Sequence, residues 1–412
     1  MSRKKLFSQI GNASAIIGLS FGFQAISDIF IARHVTASDY GYFTLIFRDS
    51  ANILSMLLLL GMDTSLIRSI SNNGLARFDW RTLLKESALF FLLVSAILSS
   101  VVAIIYHVQL RDHILLIFVA SLLPILSLGA TILRIHGNIA KAQINLNLWR
   151  FFFALSLLPL FWLHAFTIEN LVMLFFLGFI FAAIALVTTL RNIPHGKEQL
   201  SRKTLLVEGI LFFGLSSSSL MMAKIERFFI GGLRTLADVG AYYAISLAVV
   251  TAFTIAASGS SYVMLPHFAQ GGTIKVKKNL SLLILIGIII ASPFAIGGKE
   301  IIHLLFMGKY DTFSYLIPFF IGIGMLQLLY FLPSSYIGGK ADKKTLQQFL
   351  LWGFLSLLLN VVLCLLLIPR YGLSGAAAST LTAWIIRLAS GLWFTKRILN
   401  QQSEFYHSIT SS

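Results

Sequence analysis

Charged residues interrupt three otherwise apolar, helix-length segments of this sequence. They are Asp28, the adjacent pair Arg48 and Asp49, and the cluster Lys224, Glu226 and Arg227. One ionised group at the centre of a membrane helix costs about 2.5 to 3.5 kcal/mol on insertion scales, so such residues usually face a helix-bundle interior or a water-filled cavity and mark a pathway. The pattern predicts a protein that moves a charged substance across a bilayer.

The basic members of this set are suited to a phosphate or diphosphate, because arginine binds its oxygens bidentately and lysine acts as a point charge. We therefore predict that the substrate diphosphate or headgroup is bound by Arg48, Lys224, Arg227 and Asn52. The acidic members could pair with these cations in the empty state or titrate and couple transport to protons or sodium. They are Asp28, Asp49 and Glu226.

Simpler structural roles stay open for the same residues. Lys224 and Arg227 could snorkel to the outer membrane face, and Asp28 or Glu226 could neutralise a neighbour in a structural ion pair. The histidines lie in loops or at span ends without the spacing of metal ligands. We predict no metal site, no cofactor and no catalytic residue.

The composition is that of an integral membrane protein. The 412 residues are 57% hydrophobic and only 12% charged, about half the charged fraction of a soluble domain, and the mean hydropathy is +0.84. The formal charge of +16 is spread over short basic clusters between apolar runs, so it indicates membrane topology and lipid contact rather than nucleic-acid binding. Cys364 is the only cysteine, which excludes an intrachain disulfide.

About twelve segments are long and apolar enough to span a membrane. They lie near residues 8–31, 41–62, 85–106, 113–133, 147–165, 168–190, 205–231, 240–265, 279–298, 314–337, 347–368 and 373–396. Of the basic residues outside the three charged segments, 23 fall on one side and 6 on the other, which places both termini in the cytoplasm. The connections are short, which argues against membrane glycosyltransferases and polymerases with large external loops.

An internal repeat divides the chain into two halves. At a constant offset, residues 26–43 and 225–242 share Ile, Phe, Ile, Thr, Asp and Gly, ending in Asp39-x-Gly41 and Asp238-x-Gly240. An even number of spans separates the copies, so the halves are predicted to be parallel repeats. We expect an all-α polytopic membrane protein with two six-helix lobes, residues 1–200 and 201–412, around a central cavity that the charged helices line.

Three motifs carry a resemblance to a known family. They are Ala37–Phe43 followed by Leu60–Arg68, then Gly338–Lys344, and then Leu367–Ala377, which is similar to a Pro-x-Tyr-Gly-x-x-Gly-Ala-Ala stretch. In order and position they resemble the Wzx-type O-antigen and repeat-unit flippases of the multidrug/oligosaccharidyl-lipid/polysaccharide exporter (MOP) superfamily.

The resemblance implies a drug-exporter-like fold in the bacterial plasma (inner) membrane. It also implies a non-enzymatic flippase that moves an undecaprenyl-diphosphate-linked oligosaccharide from the cytoplasmic to the outer leaflet by alternating access, for O-antigen, capsule or exopolysaccharide synthesis. Membrane lipid, a polysaccharide polymerase and a chain-length regulator are the implied partners. The family motifs do not include the charged residues above.

Three alternatives remain at this point. The first is an ion-coupled multidrug exporter of the same superfamily, which would favour a net acidic cavity for cationic drugs. The second is a membrane glycosyltransferase or polymerase, and the third is a non-transporting scaffold of an envelope complex.

Overall fold

A computed structural model describes residues 3–73, 79–194, 202–269 and 276–410, and every regular element in these ranges is helical. The first eight α-helices are α1 Arg3–His34, α2 Ala37–Tyr42, α3 Ala51–Leu59, α4 Met62–Asn73, α5 Trp80–Tyr106, α6 Leu110–Ile135, α7 Ile139–Trp162 and α8 Ile168–Leu190. The others are α9 Arg202–Met222, α10 Ile225–Leu233, α11 Leu236–Ala269, α12 Val276–Phe306, α13 Ile317–Lys340 and α14 Lys343–Thr410. A π-helix, Phe43–Ser50, joins α2 to α3, and a 3₁₀ helix, Asp311–Leu316, precedes α13.

Each of the twelve predicted spans falls on these helices, and ten stretches of the described chain are long and apolar enough to cross a membrane. The last of them, Lys344–Gln401, is 58 residues long, whereas about 20 helical residues suffice for one crossing. It covers both of the last two predicted spans. The helix is interrupted between them at Gly372, whose φ of 58° and ψ of −135° are not helical.

The outer surfaces of the helices are apolar, as a lipid environment requires. On α5, Leu89, Leu93, Ile97 and Ile104 are 58 to 73% exposed and recur at helical spacing, so they form one stripe. In a soluble protein a stripe of this size would be an exposed hydrophobic patch. Here it is the surface that faces the acyl chains.

The chain divides into two compact units. Unit 1 comprises Met1–Met221 together with Arg234–Gly240, and unit 2 comprises Met222–Leu233 together with Ala241–Ser412. The all-helical, two-lobed fold predicted from the sequence is confirmed.

The two copies of the sequence repeat adopt the same local structure. The Thr36 hydroxyl accepts a hydrogen bond from the Asp39 amide at 3.0 Å and donates to its carboxylate at 2.7 Å. Thr235 and Asp238 repeat both contacts, at 3.1 and 3.0 Å. Each threonine thus caps the amino terminus of the next helix, which satisfies an amide that the first helical turn leaves unpaired.

The repeated glycines lie in a close contact inside unit 1. A Cβ atom at Gly41 would overlap the carbonyl of Leu236, and one at Gly240 would overlap the carbonyl of Ala37. Because each glycine packs against backbone of the other copy, neither position tolerates a side chain. The Asp-x-Gly signature therefore encodes a helix cap followed by a reciprocal backbone contact.

Candidate functional site

The first charged cluster lies in the interior of unit 1. Asp28 on α1 is 0% exposed and Arg48 in the π-helix is 3% exposed, and the Arg48 Nη1 atom donates to the Asp28 Oδ2 atom in a buried ion pair. The guanidinium carbon also lies 5.4 Å from the ring centre of Phe43 and 6.0 Å from that of Phe175. Aromatic faces attract a cation, so the carboxylate and the two rings together hold Arg48 inside the lobe.

A π-helix positions this arginine. Residues Phe43–Ser50 are all buried, and the segment forms a π-helix between two α-helical stretches of one span. π-helical turns are rare and occur frequently at functional sites. In a regular α-helix Arg48 and Asn52 would be i, i+4 neighbours on one face, but here Arg48 is buried whereas Asn52 is exposed.

Asn52 therefore lies apart from the charged group that it was predicted to assist. Its side-chain nitrogen donates to the backbone carbonyl of Arg48 at 2.6 Å, not to the guanidinium. The residue lines a separate cavity of about 230 Å³ in unit 1, which is also lined by Ser55, Met56, Leu59, Gly61, Asp63, Phe213 and Leu220. None of the three predicted cations lines that cavity.

Two further charges complete the unit 1 cluster. Asp49 is 0% exposed, and both Asp49 and Arg150 lie within electrostatic range of the Asp28 carboxylate. Arg150 is on α7, and its Nη1 atom donates to Asn147 at 2.9 Å and to Ser20 on α1 at 3.3 Å. The cluster thus joins α1, the π-helix and α7, with two carboxylates and two guanidiniums.

The second charged cluster lies at a break in the seventh predicted span. Helix α9 ends at Met222 and α10 begins at Ile225, so Ala223 and Lys224 form a turn between them. A break frees carbonyl groups that water cannot reach in a membrane, so neighbouring polar groups must bind them. The buried side chain of Asn360 donates to the Met222 carbonyl at 3.4 Å, which meets that need.

Glu226, Arg227 and Lys224 surround this break in unit 2. Glu226 is 3% exposed, and Lys224 and Arg227 are half-buried. The guanidinium carbon of Arg227 lies 4.4 Å from the ring centre of Tyr243, and the buried Tyr242 lies within electrostatic range of Glu226 and Arg227. All six charges that the sequence singled out are therefore buried or half-buried.

Two further cations, the half-buried Arg150 and the buried Arg387, were counted among the 23 basic residues of the cytoplasmic side in the sequence analysis. Arg150 lies three residues inside the predicted span 147–165, and α7 begins eight residues before that span, at Ile139. Arg387 was likewise assigned to the cytoplasmic side, yet it is 2% exposed, with its guanidinium carbon 5.1 Å from the ring centre of Tyr330. The signal was available for both residues, since each lies inside a predicted span, 147–165 or 373–396.

The polar groups of these clusters do not form a metal site of the usual kind. Within the residues that the structure describes, no group of three or more histidine, cysteine, aspartate or glutamate side chains is placed to hold a metal ion. The clusters instead combine carboxylates with guanidiniums and aromatic rings, an arrangement that can exchange an internal carboxylate for an external anion.

Comparison with known proteins identifies the fold. No protein-family model matches the chain, and no curated protein matches it by sequence. The structure is similar to that of the lipid II flippase MurJ in an inward closed conformation, with a TM-score of 0.70 and 14% identity over 96% of this chain and 92% of that chain. It is also similar to an outward-facing multidrug resistance MATE family transporter of the MOP superfamily, with a TM-score of 0.69 and 14% identity over 95% and 96% of the two chains.

A MATE transporter of Vibrio cholerae is a third similar structure, with a TM-score of 0.65 and 13% identity over 97% of each chain. The chain thus has the fold of multi-pass membrane transporters of this superfamily.

Proposed function

We propose that this protein is a flippase that moves a polyprenyl-diphosphate-linked oligosaccharide from the cytoplasmic to the outer leaflet of a bacterial plasma membrane. The motif resemblance, together with a fold also found in the lipid II flippase MurJ, supports a lipid-linked substrate. In this proposal the diphosphate binds to Arg48, Lys224 and Arg227, and transport proceeds by alternating access for the synthesis of a surface polysaccharide. A polysaccharide polymerase and a chain-length regulator would act on the flipped product.

The observation that carries the proposal is the net charge of the two clusters described above. The sequence alone offered three basic and three acidic intramembrane residues. Arg150, which is half-buried, joins the unit 1 cluster, so the two clusters together contain four basic and three acidic side chains. An excess of positive charge in low dielectric favours an anionic ligand, whereas an exporter of cationic drugs would favour the opposite sign.

The Asp28–Arg48 pair supports a role in an exchange of partners. A carboxylate that neutralises Arg48 without substrate lowers the cost of holding that cation in the membrane interior. A diphosphate offers more acceptor oxygens than one carboxylate and could take its place. The released Asp28 carboxylate, with Asp49 and Glu226, would then be the group that couples transport to protons or sodium.

The proposal is tested with the purified full chain in vesicles that contain a fluorescent undecaprenyl-diphosphate oligosaccharide. A membrane-impermeant quencher reports how fast the label reaches the accessible leaflet. A hydrogen bond to a charged group is worth about 1.5 to 3 kcal/mol, so Arg227→Ala is expected to slow transport at least about tenfold. The double variant D28N/R48Q, which removes the buried charges together, is expected to do the same.

The exposed Arg370 provides the matched control, and Arg370→Ala is expected to transport at the parent rate. The proposal fails if R227A and D28N/R48Q both keep the parent rate while folding normally. Saturable uptake of a lipophilic cation such as ethidium, without movement of the labelled glycolipid, would instead identify a multidrug exporter.

A further inference from the structure

A second polar cavity lies in unit 1, away from both charged clusters. It lies between the amino-terminal part of α7 and the carboxyl-terminal end of α8 and has a volume of about 440 Å³. Among the residues that the structure describes, its walls are Lys141, Ile144, Asn145, Thr188, Thr189 and Asn192. The transport mechanism proposed above uses none of these residues.

The walls of this cavity favour an anion. One lining side chain is cationic, four carry hydroxyl or amide groups, and none of the six is acidic. In the sequence from 113 to 194 the single acidic residue is Glu169, which lies at the opposite end of α8 and contacts Arg111 at 3.4 Å. No carboxylate of that stretch therefore competes for the Lys141 ammonium group at this cavity.

Part of the cavity wall is held in place by buried hydrogen bonds. Asn145 is 5% exposed, and its side-chain nitrogen donates to the Lys141 carbonyl at 2.9 Å and to the Thr189 hydroxyl at 3.4 Å. The Thr189 hydroxyl in turn donates to the Ala185 carbonyl at 2.7 Å. The bond between Asn145 and Thr189 joins α7 to α8. The other two bonds hold these side chains in position beside the exposed Lys141 and Asn192.

An apolar track leads away from the cavity along α8. Leu177, Phe181 and Ile184 are 43, 45 and 58% exposed and precede Thr188 at intervals of four, three and four residues, so they share one helical face. On α7, Ile144 is 43% exposed at the cavity itself. A free inorganic anion would need no such track, whereas an acyl chain joined to a phosphate would pack along it.

The position along the membrane normal agrees with a lipid headgroup. The distribution of basic residues places this end of α7 and α8 on the cytoplasmic side, where anionic phospholipids attract basic residues and basic pockets between helices bind headgroups. We propose that the cavity binds the phosphate of an anionic phospholipid of the cytoplasmic leaflet, with Lys141 as the cation and the exposed face of α8 in contact with an acyl chain.

Native mass spectrometry of the purified full chain, titrated with phosphatidylglycerol, tests this site. We expect saturable binding that Lys141→Ala weakens about fivefold, the contribution of one lysine near an anionic surface, and that Lys141→Arg preserves. Lys85 is the matched control, because it is exposed on α5 on the same predicted side of the membrane and does not line the cavity. We expect Lys85→Ala to bind phosphatidylglycerol as the parent does.

If K85A and K141A weakened the binding of phosphatidylglycerol equally, the loss would reflect general surface charge, and the proposal would be wrong. Equal binding of phosphatidylcholine and phosphatidylglycerol would also overturn it. In a further measurement, inorganic phosphate is added as a competitor of phosphatidylglycerol. Displacement of phosphatidylglycerol by equimolar phosphate would show a free-anion site and overturn the lipid assignment, whereas we expect no displacement.

Discussion

At the scale of single residues, charged side chains lie in the poorly solvated interior of the protein and are surrounded by carboxylate or aromatic groups. Arg48 lies against a carboxylate and two aromatic rings, and Arg387 lies near the rings of Tyr330 and Trp384. Taking an ion out of water costs several kcal/mol, which a partner recovers only in good geometry. Apolar residues at these positions would avoid that cost, so we predict that the charges serve the function of the protein rather than its stability.

The Asp28–Arg48 pair yields a prediction about stability. Asp28→Asn removes the negative charge beside a cation that is 3% exposed, and breaking a buried pair costs on the order of 3 kcal/mol. We expect a clear decrease in the midpoint of thermal unfolding, measured in detergent by intrinsic fluorescence. The double variant D28N/R48Q should recover part of that loss, because it leaves no isolated charge.

Glu300→Gln is the control for this prediction, because Glu300 is an exposed carboxylate, and its midpoint should equal that of the parent. If D28N unfolded at the parent temperature, the ion pair would not be a buried structural contact in the membrane protein.

At the scale of helices, irregular backbone marks both charged clusters. Arg48 and Asp49 lie in a π-helix, and Lys224 lies in the turn between α9 and α10. Irregular backbone within a membrane persists only where protein or a cavity satisfies its polar groups, as the bond from Asn360 to the Met222 carbonyl does here. The π-helix and the turn between α9 and α10 change the directions of the charged side chains from those that a continuous α-helix would give.

The repeated glycines give a prediction at the same scale. A Cβ atom at Gly41 would overlap the Leu236 carbonyl, and backbone cannot move aside as a flexible side chain can. Overpacking a tight contact typically costs about 1 to 3 kcal/mol, so Gly41→Ala is expected to lower the unfolding midpoint.

Gly232→Ala is the matched control, because a Cβ atom there meets nothing within 4 Å. Alanine in a helix is favoured over glycine by about 0.8 to 1 kcal/mol, so this variant should unfold at or above the parent temperature. Equal midpoints for G41A and G232A would show that the two repeat segments are not in backbone contact.

At the scale of the whole molecule, two compact helical units carry the charge clusters and present apolar surfaces to lipid. The strong asymmetry of basic residues predicts one orientation for this molecule, since lysine and arginine in short loops stay on the cytoplasmic side. Both termini are therefore expected in the cytoplasm.

The orientation can be tested by cysteine labelling. Cys364 is the only cysteine and is buried, so Cys364→Ser provides a cysteine-free background with little change in volume. In that background we expect Lys299→Cys to react with an impermeant maleimide added to intact cells, because residue 299 is exposed and predicted to be outside. Lys344→Cys should react only after permeabilisation, and the reverse pattern would contradict the predicted topology.

The sequence by itself determined the membrane class, the all-helical fold and six charged side chains that are buried or half-buried in the structure. Composition and span length suffice for these, because the bilayer imposes one length and one polarity on every crossing. The sequence also identified the repeat, and the structure shows that its Thr-x-x-Asp pattern caps a helix in both copies.

Only the tertiary structure decided which charges meet. The partner of Arg48, the inward position of Arg150 and Arg387, and the separation of Asn52 from the guanidinium depend on helix phase and on contacts between distant segments. A π-helix shifts the phase of the residues that follow it, and no α-helical spacing rule anticipates that shift. The net positive charge of the two clusters, on which the choice of an anionic substrate depends, therefore became apparent only in the folded chain.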